Sequence, residues 1–345
     1  MTTIIERRKS GTELYPLPPD IVDDVTRRQF LIGAGSLLVL APYGCGGESG
    51  QGGETTSSGT RTVEHAAGTT EVPAEPQRVV SLDVGEITDC LVSLGRDPVG
   101  SVTYPKSISG ETLGYPAALA GETEGVQSVG GSGEPNLEKI ASLEPDLILG
   151  FDYSGVGEIY EQLSEIAPTV VVRYVRDWKV YFRAVASAVG ASGKARRVIA
   201  NYEDRTDTLR REIGGTRVSV VRPREDVLWL YGPPSIAGEV LADLGLEVQP
   251  VPEGRGVTDD VQGAIGELSL EYLPELTGEH LFVITYNLED TSFEELVSRP
   301  LWQKHPAVQK GNVHPVQGIA WTNHGPLGAN LMIDEVEKAL MEGAG

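Results

Sequence analysis

The chain has 345 residues, with 50 Asp or Glu against 28 Lys or Arg and a net charge of −22. A surface this acidic repels phosphate backbones, which excludes nucleic acid as the expected partner. Two cysteines cannot make a disulfide framework, so a hydrophobic core must supply the stability, and a chain of this length can bury one.

The first informative segment is 26–47, "TRRQFLIGAGSLLVLAPYGCGG". Its apolar run covers 30–41, too short for a membrane span, which needs about 20 residues. A basic stretch, a short apolar run and small residues before a break are what an export signal requires. The Thr-Arg-Arg-Gln-Phe-Leu stretch resembles the twin-arginine signal, whose pathway exports folded proteins. Gly44-Cys45 resembles a lipoprotein processing site with Cys45 bearing the lipid, although Pro42 and Tyr43 depart from the usual pattern. Residues 1–45 are therefore expected to be a signal peptide. Residues 46–61 read as a flexible tether that lifts a folded domain off a membrane anchor. Five acidic and five basic residues cancel before Cys45, so the net negative charge belongs to the exported part.

From Arg78 onward, short apolar runs alternate with helical stretches. "RVVSLD" reads as a buried strand, and Asp83 with Glu86 forms a capping-box signature for a helix over 85–94. Cys90 falls on that helix's apolar pattern and is expected to be a buried small hydrophobe. "PVGSV", "LILGF" and "TVVV" read as further strands, with helices at 136–143 and 156–166. Continuous apolar strands between helices predict a mostly parallel, covered sheet. From 177 to 212 the spacing is helical throughout, with Gly190 and Gly193 as its possible breaks. The alternation then resumes with "RVSVV", "DVLWLY", helices at 235–244 and 270–276, "LFVIT", "GNVHPV" and a closing helix over 326–341. The expected fold is α/β, two lobes with mostly parallel sheets joined by one long helix. The lobes take 62–176 and 214–345, and the helix takes 177–213.

The halves echo each other. "NLEKIASLEPDLIL" and "SLEYLPELTGEHLFVI" share Leu-Glu, spaced apolar residues and a following strand, which puts Glu138 and Glu271 in equivalent places. Two related lobes is one reading, and chance likeness of two helix–strand units is the other.

Ligands of open parallel sheets sit beyond the carboxyl ends of the strands. Those ends carry Asp83, Gly85, Tyr104, Phe151, Tyr153, Tyr174, Arg222, Arg224, Tyr286, Asn287 and Trp321, with Tyr231 on a neighbouring strand and Arg173, Arg176 and Arg255 as further cations. Aromatic rings with arginine suit a bulky, flat, partly anionic ligand. The histidines are His65, His280, His305, His314 and His324, without a His-rich acidic loop, so a direct metal site is not expected. "VGGSGEP" lacks the G-x-G-x-x-G spacing, and neither G-x-S-x-G nor H-E-x-x-H occurs, so no enzyme is expected.

The stretches "PQRVVSLDVGEITDCLVSLGRDPVG", "GEPNLEKIASLEPDLILG", "IAPTV", "LYGPPSIAGEVLADLG" and "LVSRPLWQKHPAVQKGNVHPV" followed by "WTNHGPLGA" resemble, in order and spacing, an ABC-transporter substrate-binding lipoprotein of the helical-backbone class. The resemblance covers about 62–342 and implies a monomer that holds its ligand between two lobes with limited closure. It implies no covalent chemistry and no cofactor, the ligand being an iron(III)-siderophore complex, with cobalamin or haem as the alternative. It also implies that Glu138 and Glu271 dock on arginines of a permease dimer. The expected location is the outer face of the cytoplasmic membrane, held by lipid on Cys45, or the periplasm.

Overall fold

The described chain opens on a hairpin, β1 (Thr60–His65) and β2 (Gly68–Pro73), paired antiparallel along its whole length. The computed structural model describes residues 59–103, 125–224, 227–253, 265–285, 292–322 and 325–342. Cys45, the proposed signal, the tether up to residue 58, Tyr104, Arg255, Tyr286, Asn287 and His324 fall outside them; Thr60 and Arg61, expected in the flexible tether, are strand residues of β1.

The first sheet is built from β3 (Val79–Ser81), β4 (Gly100–Thr103), β5 (Gln127–Gly131), β6 (Glu134–Pro135), β7 (Leu147–Phe151) and β8 (Thr169–Val172) in the order β6-β5-β4-β3-β7-β8. All its pairings are parallel except β5 with β6. The crossovers carry α1 (Glu86–Ser93), α2 (Leu137–Ser142) and α3 (Tyr160–Ile166), the last preceded by a 3₁₀ turn over Val156–Ile159. β7 is wholly buried, which is why its sequence has no polar alternation.

Helices α4 (Trp178–Ala188) and α5 (Ser192–Ile213) occupy the segment read as one backbone helix. The break falls at Gly190, whose φ is 72°. A side chain there would be strained and its Cβ would run into the Ala74 carbonyl oxygen. Arg61 of β1 fills the gap below the break: its guanidinium donates to the carbonyls of Ser187, Ala188 and Ala74, satisfying the open end of α4. Gly193 lies inside α5 and does not interrupt it.

The second sheet contains β9 (Arg217–Arg224), β10 (Val227–Tyr231), β11 (Glu247–Val248), β12 (Ile265–Ser269), β13 (His280–Thr285) and β14 (Val313–Gln317). Its main order is β12-β10-β9-β13-β14, with β11 beside β9. β9 and β10 form an antiparallel hairpin rather than a βα unit, and β12 is antiparallel to β10; the other pairings are parallel. Helices α6 (Ile236–Asp243), α7 (Ser292–Ser298), α8 (Pro306–Gln309), α9 (Gly318–Thr322) and α10 (Pro326–Glu337) complete this half.

The period-2 alternation of the strands divides the core. Leu147, Leu149 and Phe151 of β7 join Val218 and Val220 of β9 in one continuous cluster with α1, α4, α5, α6 and α10. Ile148 faces a second cluster on the far side of the first sheet, and Val221 faces a third on the far side of the second. The described residues all belong to one compact unit, Thr56–Gly345. Cys90 is fully buried in the central cluster. Among the described residues, no helix is long and apolar enough to cross a membrane.

Candidate functional site

The carboxyl ends of the two sheets make two chemically different edges. On the first sheet, β3 runs into Asp83, which is only 3% exposed. Its Oδ2 accepts from the backbone N–H groups of Gly85 and Ile87, both at 3.0 Å, and so closes the start of α1. The capping box expected from the sequence is half formed. Glu86 does not reach back to Asp83 N–H, which donates instead to Ser81 Oγ at 3.4 Å. Both Glu86 carboxyl oxygens are buried without a hydrogen-bond partner. Burial, followed by the charge of Asp83, pushes the Glu86 pKa well above the usual carboxylate range. Two adjacent buried carboxyls cannot both ionise cheaply, so Glu86 is the member that holds a proton.

Tyr153 lies over these acids. Its hydroxyl donates to Asp83 Oδ1 at 3.2 Å while the residue remains 45% exposed. Burial of the hydroxyl, followed by the neighbouring acids of the floor, pushes its pKa up, so it stays a donor. Phe151 stacks behind Tyr153 at 5.5 Å, and Tyr174 meets Tyr153 edge-on at 4.9 Å. Asp152 Oδ1 accepts from Tyr174 N–H at 3.0 Å, tying the ends of β7 and β8 together. This edge is a packed aromatic wall over a partly protonated acidic floor.

The second sheet offers the opposite charge. Arg222 and Arg224 share one face of β9, and the register sets Trp229 of β10 directly across from Arg222. The two guanidinium carbons lie 5.6 and 4.6 Å from the Trp229 ring. The indole N–H donates to Glu267 on β12 at 3.1 Å. Stacking holds the guanidiniums on a flat surface, with Arg224 exposed and Arg222 half-buried. Trp229 and Glu267 were not singled out in the sequence reading. The pattern Val-Leu-Trp-Leu-Tyr held the signal, because alternation puts Trp229 on the face opposite Leu228 and Leu230.

Other expected residues lie elsewhere. Tyr231 pairs with Val220 at the end of β10 away from the Arg224 turn, and it is 3% exposed. Trp321 is fully buried, and its indole N–H is taken by Glu335 at 2.6 Å. In this conformation both are core residues. Arg173 is exposed and Arg176 half-buried just past β8.

The histidines separate. His65 bonds Thr70 at 2.9 Å in the opening hairpin. His305 caps α8 by accepting from Ala307 N–H at 3.1 Å, so its other nitrogen is the one that donates to the Leu276 carbonyl at 3.0 Å. His280 and His314 pair at 3.0 Å near the amino ends of β13 and β14, away from the crevice, and burial pushes His314 down to about 4. Among the described residues, no group of three or more His, Cys, Asp or Glu could hold a metal ion.

Glu138 and Glu271 occupy matching positions. Each is the second residue of a short helical turn that a polar side chain caps: Asn136 accepts from Lys139 N–H at 2.9 Å, and Ser269 from Glu271 N–H at 3.3 Å. Both carboxylates are exposed. The turns differ in kind, since Pro274 holds the second one as 3₁₀.

A family model described as periplasmic binding protein matches residues 86–316, from the start of α1 into β14. The chain belongs to the periplasmic binding protein family. It is 35% identical over 301 residues to the probable siderophore-binding lipoprotein YfiY of Bacillus subtilis (strain 168), covering 84% of this chain and 90% of that one. It is 30% identical over 309 residues to the Fe(3+)-citrate-binding protein YfmC of the same organism, covering 85% and 91%. Among solved structures, Staphylococcus aureus SirA complexed with staphyloferrin B matches with a TM-score of 0.64 and 28% identity, covering 81% of this chain and 98% of that chain. Membership in this family accounts for the two α/β lobes on a helical backbone.

Proposed function

We propose that this protein captures a ferric siderophore outside the cytoplasmic membrane and delivers it to an ABC permease. The observation that carries the reading is the Arg222–Trp229–Arg224 stack at the carboxyl edge of the second sheet. Planar guanidinium forks match the oxygens of an anionic iron chelate, and the indole gives a flat apolar floor. The likeness to a probable siderophore-binding lipoprotein, an Fe(3+)-citrate-binding protein and a staphyloferrin B complex supports it. Names among the relatives also include an iron(3+)-hydroxamate-binding protein, so likeness alone does not select the chelate class. The arginine pair favours an anionic one.

Tyr153 and Tyr174 would form the opposing wall, and Tyr104 and Tyr286 complete the proposed contact set. Binding needs no covalent step and no resident cofactor. Fluorescence titration separates the ligands well, because Trp178, Trp302 and Trp321 are buried and Trp229 is the half-buried indole. The reading predicts saturable quenching by ferric siderophores and none by haem or cobalamin. Quenching by haem or cobalamin alone would replace the ligand and keep the transport role.

Glu138 and Glu271 are the proposed docking carboxylates, fixing the orientation of the carrier on two arginine-bearing subunits. Replacing both by Ala should abolish uptake and leave ligand affinity unchanged; uptake at the original rate would remove the docking role. Export through the twin-arginine route and lipidation of Cys45 complete the proposal. Mass spectrometry of the mature N-terminus tests them, an acylated Cys45 being the expected first residue.

A further inference from the structure

Asp89 is the second acid of α1, and its carboxylate is used across the molecule. Oδ2 accepts from the N–H groups of Gly325 at 2.9 Å and Gly328 at 2.8 Å, and Oδ1 accepts from Leu327 N–H at 2.9 Å. Pro326 has no N–H, so every backbone donor from Gly325 to Gly328 ends on this one side chain. Ser93 Oγ adds a fourth donor at 3.2 Å. The group is 1% exposed. Burial raises its pKa to about 6, and the backbone donors oppose the rise. Helix α10 has no side-chain cap of its own, since Gly325 stands at the N-cap. A Cβ at Gly325 would lie 2.8 Å from Asp89 Oδ1, so only glycine admits this approach.

The rest of the contact between α1 and α10 is apolar and belongs to the central cluster. Burial of apolar surface is non-directional, and packed helices slide over one another at small cost. Charge-assisted bonds to three fixed N–H groups are directional, and the amino end of a helix favours a negative charge. They select one register between the two elements. α1 starts at the carboxyl edge of the first sheet, and α10 follows β14 and α9 at the carboxyl edge of the second.

We propose that Asp89 is a positioning residue: by clasping the start of α10 it fixes the angle between the lobes, and so the width of the ligand crevice. The functional half of this statement rests on the crevice being the siderophore site. The geometric half does not. The backbone helices α4 and α5 join the lobes covalently and meet at the Gly190 break, so the Asp89 clasp is a separate, non-covalent tie between α1 and α10.

The experiment uses the full chain with Cys45→Ser and spin labels at Gln162→Cys and Lys310→Cys, both exposed positions on opposite lobes; Cys90 is buried and does not label. Electron–electron distance measurement on the ligand-free protein is expected to give one narrow distribution. Asp89→Ala should broaden it severalfold in a chain whose circular dichroism is unchanged, and Asp89→Asn, which keeps one acceptor oxygen, should give an intermediate width. Gly325→Ala parts the clasp with the carboxylate retained and should broaden it too, which keeps the test open if Asp89→Ala does not fold. Distributions as narrow as the parent's in the folded variants overturn the proposal. No ligand is needed, so failure of the clasp and failure of the siderophore reading are separate results: absent binding with a clasp-dependent width leaves the geometry standing.

Discussion

The two edges of the crevice use the same amino-acid types in opposite ways. On the first sheet the acids are hidden: Asp83 and Glu86 are buried, Glu86 holds a proton, and Tyr153 covers both, while Arg173 is exposed and Arg176 half-buried past β8. On the second sheet the charges are presented: Arg222 and Arg224 ride on the Trp229 ring. A buried carboxyl is costly to ionise and serves to build the wall, whereas a stacked guanidinium keeps its charge. Recognition of an anion should therefore be concentrated on one lobe, with shape supplied by the other.

This asymmetry can be broken at several points. The largest effect should come from Arg222→Ala with Arg224→Ala. Each guanidinium bonded to an anionic oxygen contributes about 1.5–3 kcal/mol, so the pair should weaken an anionic chelate by roughly 100-fold or more in equilibrium titration. A loss below threefold would take the arginines out of the site. Trp229→Ala comes next, at about tenfold, because it removes both the stacking floor and the platform that orients the guanidiniums. It should also abolish ligand quenching of fluorescence. If quenching persists, another indole reports the ligand.

Tyr153→Phe should change affinity by less than about threefold, since the ring stays and one hydrogen bond of about 1 kcal/mol is lost. A loss as large as that of the arginines would make the first lobe an equal partner in polar recognition. The smallest effect on affinity belongs to Glu86→Gln, which keeps the shape of the protonated acid and should bind as the parent does. Its signature is in stability. A carboxyl raised in the folded state contributes stability below its unfolded pKa and loses it as pH rises through the folded value. Glu86→Gln removes that loss, so urea unfolding should find it more stable than the parent at pH 8 and level with it near pH 4. Equal midpoints at both pH values would mean that Glu86 is not strained by its burial.

What could be read from the sequence follows from the range of the interactions. The central strands were legible because β7 and β8 are buried on both faces and their runs of Leu, Ile and Val leave no other reading. The break at Gly190 was only half legible: Gly193 looked as able to interrupt the segment, which was expected to be one helix. The hairpin of β9 and β10 was not, because "RVSVV" and "DVLWLY" look as buried as parallel strands do. That error concealed the partner of Trp229: alternation shows its face, but only β10 turned back sets it against Arg222. Glu86 was read as a cap because S/T/D-x-x-E is a local signature, but burial beside Asp83 left it pointing into the core. Asp89 gave no signal at all. Its partners lie 236–239 residues further along the chain, and no local pattern encodes them.

The most direct test of the account compares two iron chelates on the wild-type protein: an anionic ferric complex and a neutral ferric hydroxamate of similar size, titrated side by side by Trp229 fluorescence. The account predicts tighter binding of the anionic complex by at least roughly tenfold, the worth of one charge-assisted contact. Equal affinity, or preference for the neutral complex, would contradict the assignment of recognition to Arg222 and Arg224.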